Sequence, residues 1–279
     1  MGILDYVNHS STPTGIRVVI SGQEKIGKTT LACSAPRAML VPLEQGFSGV
    51  SIMKTPMLET YADTMQLLDE VTVKAQAGQF PYRTLVFDSA TALERQIHTA
   101  VLMTDPTWAK GNRKALTMES GLGGYGKAYQ YANELFHNFL SKCDALAVHG
   151  GINIVLTCHV FAARIVDPTA GEYDSWDLLL HSPKNQKSYG KREMLTQWAD
   201  IVGFLYEPIF VTKGDAKSQL NMGVSSNKGR ILAVNRTPGY VAGNRYGVVN
   251  DISVPKEKGW NYLADAIYHS SGVDCYNRD

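Results

Sequence analysis

Gly22-Gln-Glu-Lys-Ile-Gly-Lys-Thr-Thr30 is the stretch on which the reading of this chain turns. Gly22, Gly27, Lys28 and Thr29 fill the pattern G-x-x-x-x-G-K-[ST]. Before it, Ile16-Arg-Val-Val-Ile-Ser21 is a short β-branched run that predicts a buried strand; after it, Thr30-Leu-Ala-Cys-Ser34 predicts a helix. Glycines let the backbone curl so that successive N–H groups point inward, making an anion nest where the helix begins. Lysine at 28 then reaches β- and γ-phosphates, and a hydroxyl at 29 ligands Mg²⁺. On this reading Gly22, Gln23, Glu24, Lys25, Ile26, Gly27, Lys28, Thr29 and Thr30 wrap the phosphates of a nucleotide, and Lys28 faces solvent when the loop is empty. An incidental glycine turn is the structural alternative, against which the flanking strand and helix argue.

The surrounding chain has 279 residues, enough for a full α/β core, with one domain favoured over two. Its hydrophobic content of 44 % and charged content of 19 % are those of an ordinary globular protein. A net charge of +1 means that any nucleic-acid contact must come from local patches. Cys33, Cys143, Cys158 and Cys275 lack metal-ligand spacing and suit free thiols in a reducing compartment. No secretory signal and no apolar run of about 20 residues is visible, so a cytoplasmic protein is expected, without a membrane partner.

Apolar runs and turn residues divide the chain into alternating strands and helices. Ala38–Leu43 predicts a second strand, peripheral or irregular at Pro42. A helix over 57–77, the strand Arg83–Asp88 and a helix over Ala90–Met103 follow. Residues 104–123 are expected as an exposed loop. The next helix is amphipathic, with Tyr129, Ala132, Phe136, Phe139, Leu140 and Cys143 on one face. Ile152–Cys158 predicts the fourth strand, 160–192 a long irregular segment, and Asp200–Tyr206, Ile209–Thr212 and Arg230–Asn235 the closing strands. The expected organisation is a lead-in over 1–14, a core over 15–254 and a hydrophilic tail over 255–279 with one short helix near Tyr262–Tyr268. The alternation predicts a three-layer α/β fold with a mostly parallel sheet. Such sheets bind ligands beyond the carboxyl ends of their strands, where Gly22, Glu44, Asp88 and His159 all fall.

Each of these positions has two readings. Asp88 closes an apolar strand and would help hold Mg²⁺, or it caps the helix that follows. Glu44 would orient the attacking water, or it is a solvated loop carboxylate. His159 would sense the γ-phosphate, or it is a satisfied structural group. The other histidines show no ligand spacing, so no metal beyond Mg²⁺ is expected. His181–Arg192 holds Lys184, Lys187, Lys191 and Arg192 around Tyr189, with no acid. Bases around an aromatic suit single-stranded nucleic acid, by phosphate contact and stacking; a solvated loop is the alternative. Lys110, Arg113 and Lys114 repeat the pattern more weakly.

Taken together, these residues resemble the RecA-like ATPase core over roughly 15–245. Leu43-Glu44-Gln45-Gly46 matches the strand ending in a catalytic glutamate, and Leu85-Val-Phe-Asp88-Ser89 matches the Mg²⁺ strand. RecA itself carries glutamine where this chain has His159. The Thr-Cys-His ending and Ala199-Asp-Ile-Val-Gly203 resemble phage-encoded RecA-like proteins of the single-strand annealing and recombination type. That resemblance implies a P-loop NTPase using ATP and Mg²⁺, with the loops 104–123 and 160–192 contacting single-stranded DNA. It implies a homo-oligomer, ring or filament, in a bacterial host cytoplasm, with a single-strand DNA-binding protein as a further partner. It also implies a basic finger from the last strands reaching a neighbouring subunit: Arg236 first, with Arg230 and Lys228 behind it; solvated hairpin charges are the alternative. Residues 1–14 carry no polymerisation motif. A ring-forming helicase or translocase, and an ATP-dependent switch acting on a protein partner, are the competing readings; the basic 181–192 segment separates the DNA-directed readings from the switch.

Overall fold

Strands buried on both faces read as continuous apolar runs, and five of them make the centre of this protein. In the computed structural model, residues 15–46, 51–111, 116–183, 189–212, 222–225 and 229–275 are described. The first half runs β1 (Arg17–Gly22), α1 (Lys28–Cys33), β2 (Ala38–Pro42), α2 (Tyr61–Gln76), β3 (Thr84–Asp88), α3 (Ala90–Met103), α4 (Pro106–Ala109) and α5 (Lys127–Gly150). The second half begins with β4 (Asn153–Cys158), β5 (Val160–Asp167), β6 (Gly171–Leu178), α6 (Lys191–Trp198) and β7 (Ile201–Tyr206). It closes with β8 (Ile209–Thr212), β9 (Met222–Ser225), β10 (Arg230–Ala233), β11 (Gly243–Asn244), β12 (Ile252–Val254) and α7 (Gly259–Ser271).

The main sheet has the order β12-β10-β7-β1-β4-β3-β2, with β11 beside β7. Strands β2, β3, β4, β1 and β7 are parallel; β10 and β11 pair antiparallel with β7, and β12 pairs antiparallel with β10. The fold is thus the mostly parallel α/β fold of a P-loop NTPase core. Alternate residues of each strand feed two cores: Val19, Phe87 and Leu156 face α2, α3 and α5, while Val18, Val86 and Val155 face α1 and α7. Three layers result. Strand β4 lies between β1 and β3, which sets the end of β4 between the glycine loop and Asp88.

Local signals fix several boundaries. Helix α2 starts at Tyr61 because Thr60 and Asp63 form a reciprocal capping box. Helix α3 starts at Ala90 because the Ser89 hydroxyl accepts the Ala92 N–H at 3.2 Å. Pro42 is tolerated because β2 is the last strand of the sheet, where one ladder suffices. Beyond it, residues 53–55 cover the edge: the Leu40 N–H donates to the Met53 carbonyl and the Thr55 N–H to the Leu40 carbonyl.

Three expectations are corrected. Much of 160–192 is not irregular: β5 and β6 pair antiparallel over their whole length, and α6 follows. Within 104–123, α4 and a 3-10 turn at Gly121–Gly123 are held by buried Asp105, which accepts the N–H groups of Thr107 (2.8 Å) and Leu122 (2.7 Å). The helix expected near Tyr262–Tyr268 in a hydrophilic tail is longer and not hydrophilic throughout: α7 runs over Gly259–Ser271 and buries Trp260, Leu263 and Ile267 against the sheet. Trp260 is 0 % exposed, so Trp260→Ala is expected to cost roughly 3–5 kcal/mol. Chemical denaturation reads this directly, and a loss under about 1 kcal/mol would mean that α7 is dispensable to the core. Among the described residues, no helix is long and apolar enough to cross a membrane.

Candidate active site

The turn from β1 into α1 bends where only glycine is comfortable. Gly22 has φ +153°, and a Cβ there would stand 2.5 Å from the Leu205 carbonyl oxygen. Gly27 has φ +95°, and α1 begins at the next residue. The Lys28 side chain does not face solvent as expected: the residue is 7 % exposed. Its Nζ donates to the carbonyls of Gly22 (2.9 Å) and Gln23 (2.8 Å), so the loop's own oxygens satisfy the ammonium. Burial pushes the Lys28 pKa down, opposed by the charges of Asp88 and Glu44. Gln23, Glu24 and Lys25 are exposed, while Ile26, Thr29 and Thr30 are half-buried.

A cleft of about 430 Å³ opens over this loop, with Lys25, Gly27, Lys28 and Thr29 among its lining. Glu44, Asp88 and His159 join them from the ends of β2, β3 and β4. Three separate strand ends therefore deliver their polar residues to one place, as parallel topology favours.

Asp88 is buried and receives two hydroxyls. Thr29 Oγ1 donates to its Oδ2 at 2.5 Å, and Thr157 Oγ1 donates to its Oδ1. A threonine hydroxyl and a carboxylate converging in a polar cleft are the hard oxygen donors that Mg²⁺ takes, so these residues fit the metal. Asp88 is not the cap of α3; Ser89 is.

Glu44 is not a solvated loop residue either. Its Oε1 accepts from Ser89 Oγ (2.9 Å) and meets His159 Nε2 (2.8 Å), while its Oε2 accepts from Arg95 Nη2 (2.8 Å). The His159 hydrogen bond, helped by Ser89 and the Arg95 charge, holds the Glu44 pKa at about 2 despite burial. His159 is anchored in turn, its N–H donating to Thr91 Oγ1 at 3.2 Å; among the described residues its Nδ1 is buried without a partner. Arg95 and Thr157, and the bond from Ser89 to Glu44, escape sequence reasoning because these contacts span 45 to 69 residues and leave no local pattern.

The basic residues separate into distinct groups. Lys110 and Tyr189 are exposed, Tyr189 at 64 %. Lys191 is 0 % exposed and pairs with Glu94 at 3.2 Å, so it is corrected from a phosphate contact to a buried ion pair. Arg192 is corrected likewise: it pairs with Asp177 and with Glu193 (2.8 Å) and donates to Ser182 Oγ (3.0 Å). Arg236 is exposed after β10, within electrostatic reach of Asp167 at the β5–β6 turn. Arg230 turns back onto its own glycine loop, donating to the carbonyls of Ile26 and Gly27, which corrects its assignment as a finger for a neighbour. Arg113, Lys114, Lys184, Lys187 and Lys228 lie outside the described residues.

Two of the expected DNA segments meet on α5. Tyr129 Oη donates to Glu119 Oε1 at 2.6 Å, and its ring stacks on His181 with centroids 3.8 Å apart. One turn on, Asn133 Nδ2 donates to the Tyr189 carbonyl at 3.0 Å.

A family model described as an AAA domain matches residues 14–246. No curated protein matches the chain.

Proposed function

The chain belongs to the AAA domain family of phosphate-loop ATPases, and from that premise we propose that it spends ATP hydrolysis on single-stranded DNA. The AAA domain is a module for binding and hydrolysing nucleotide, and the cleft above the loop holds the donors that this chemistry needs. In our reading Lys28 leaves the Gly22 and Gln23 carbonyls and takes β- and γ-phosphate oxygens, while Thr29 and Asp88 hold Mg²⁺. The metal, when bound, neutralises charge on the β- and γ-oxygens. Glu44, fixed by Ser89, His159 and Arg95, orients the attacking water; held near a pKa of 2, it acts by positioning more than by taking the proton. His159 ties Glu44 to β5, which begins one residue later, so a change at the γ-phosphate is passed to the chain that leads toward 181–190.

The observation that supports a DNA substrate is Tyr129, which joins segment 104–123 through Glu119 to segment 181–190 through His181. In sequence those segments carry Lys110, Arg113, Lys114, Lys184, Lys187 and Tyr189, bases and a stacking ring. We place the activity in annealing or homologous recombination, phage-encoded and in a bacterial cytoplasm, on the resemblance to RecA-like proteins. The working form in this reading is a ring or filament, with Arg236 reaching the neighbouring nucleotide and a single-strand DNA-binding protein as a further partner.

Fluorescence titration of a single-stranded oligonucleotide, with Mg²⁺ and a nonhydrolysable ATP analogue, tests the reading. Tyr189→Ala is expected to cost roughly 1–3 kcal/mol of affinity with the salt slope kept, since stacking releases no counterion. Lys110→Ala is expected to flatten the slope of log affinity against log salt by about 0.7. Wild-type protein that binds no DNA at low salt would transfer the proposal to a switch acting on a protein partner.

A further inference from the structure

Arg230 opens β10 and is 5 % exposed. Its Nη1 donates to the carbonyls of Ile26 (3.3 Å) and Gly27 (3.2 Å), and its Nη2 donates to the Pro255 carbonyl at 2.7 Å. Among the described residues its Nε is buried without a partner. Among the described residues no carboxylate pairs with it; Glu207 acts on it through space. A buried guanidinium held by carbonyls alone is costly, and it is kept here against the glycine loop.

Which carbonyls it holds decides what it does. A trans peptide sets its C=O and N–H on opposite edges of one plane. The Ile26 and Gly27 carbonyls share planes with the N–H groups of Gly27 and Lys28. Pinning those oxygens from behind therefore fixes the direction of two N–H groups in the middle of the loop and polarises them as donors. The approach is close, since a Cβ on Gly27 would stand 2.2 Å from Arg230 Nη1, while the φ of +95° is what calls for glycine there. The same guanidinium ties the loop to Pro255, at the entry to α7.

We infer that Arg230 is a positioning residue for the nucleotide's phosphates, acting from behind the loop within its own chain. The inference rests on the nucleotide reading of the cleft. It differs from a finger in trans because it serves every phosphate the loop cradles, in ADP as in ATP, and needs no neighbour.

Titration of fluorescent ATP and ADP analogues, with steady-state turnover, separates the possibilities. Arg230→Gln is expected to weaken ATP and ADP equally, by about tenfold or more. The loss falls on KM more than on kcat. Arg230→Lys, which keeps the charge without the planar fork, is expected to recover part of the loss, and it carries the test if the glutamine variant does not fold. At subsaturating ATP, mixing Arg230→Gln protein with Lys28→Ala protein is expected to give no more turnover than the sum of the two alone, since each defect lies in its own subunit's site. Restored turnover on mixing, or lost hydrolysis with ATP and ADP affinity intact, would overturn the inference in favour of a finger. Equal nucleotide binding by wild type and both variants would overturn it alone, whereas wild-type protein that binds neither nucleotide would remove the cleft reading beneath it.

Discussion

Lys28→Ala is expected to lower steady-state phosphate release from ATP by at least 10²- to 10³-fold, about the loss seen when one charge-stabilising donor is removed from a reacting centre. In the folded chain this ammonium rests on the Gly22 and Gln23 carbonyls, already at the phosphate site and needing only a short side-chain rotation to meet phosphate oxygens. Its depressed pKa reflects burial, and two phosphate groups beside it would raise the value and keep it charged. The fold is expected to survive. Gln23 is exposed, so water can replace the lost donor there, and the stability change should stay within about 1 kcal/mol by denaturant titration. Turnover equal to wild type would remove Lys28 from the chemistry and the loop from nucleotide binding.

Replacing Glu44 by glutamine is expected to leave Mg²⁺–ATP binding in place while hydrolysis falls by roughly 10²- to 10⁴-fold. The amide keeps the shape of the carboxylate but loses the charge that three donors hold in place, and it turns an NH₂ group toward one of them. Parallel loss of binding and turnover would make Glu44 a structural residue of the cleft. The same variant carries a pH signature. The folded chain, chiefly through His159, lowers the Glu44 pKa from 4.5 to about 2, so the ionised form is the stabilised one. Its contribution to stability is fully present above pH 4.5 and is lost as pH falls through 2. The stability difference between wild type and Glu44→Gln should accordingly be flat above 4.5 and close toward 2; a gap that widens on acidification would reverse the assignment.

The parts of this molecule that sequence exposes are those with a local cause. Glycines at 22 and 27, a β-branched run before them and a helix after them locate the phosphate loop unaided. Strands β1 to β4 are legible because burial on both faces makes them apolar throughout, and α5 because one stripe must be apolar. The hairpin β5–β6 escapes this reading because much of it is exposed and two of the residues β6 buries, Ser175 and Asp177, are polar, so no apolar face sets a pattern. A turn signal does exist at Asp167-Pro-Thr-Ala-Gly171 between the two runs. Trp260 is hidden for another reason: the residues before it are hydrophilic, and the core it fills is made of strands far earlier in the chain.

Charge is where sequence misleads most. Lys191 and Arg192 look identical to their basic neighbours, yet one is buried against Glu94 and the other engages Asp177. Their partners lie 97 and 15 residues away, so nothing in the run 181–192 marks them as structural. Burial also sorts the arginines of the last strands, giving Arg230 to the loop of its own chain and leaving Arg236 exposed. Residue type can nominate a base for a phosphate, whereas only packing shows whether its charge is already spoken for.

The most direct test of the whole account is phosphate release from ATP by the purified wild-type chain with Mg²⁺, measured with and without single-stranded DNA against Glu44→Gln protein as background. Mg²⁺-dependent release well above that background is expected, rising when single-stranded DNA is added. Release no greater than that of the Glu44→Gln protein under both conditions would contradict it.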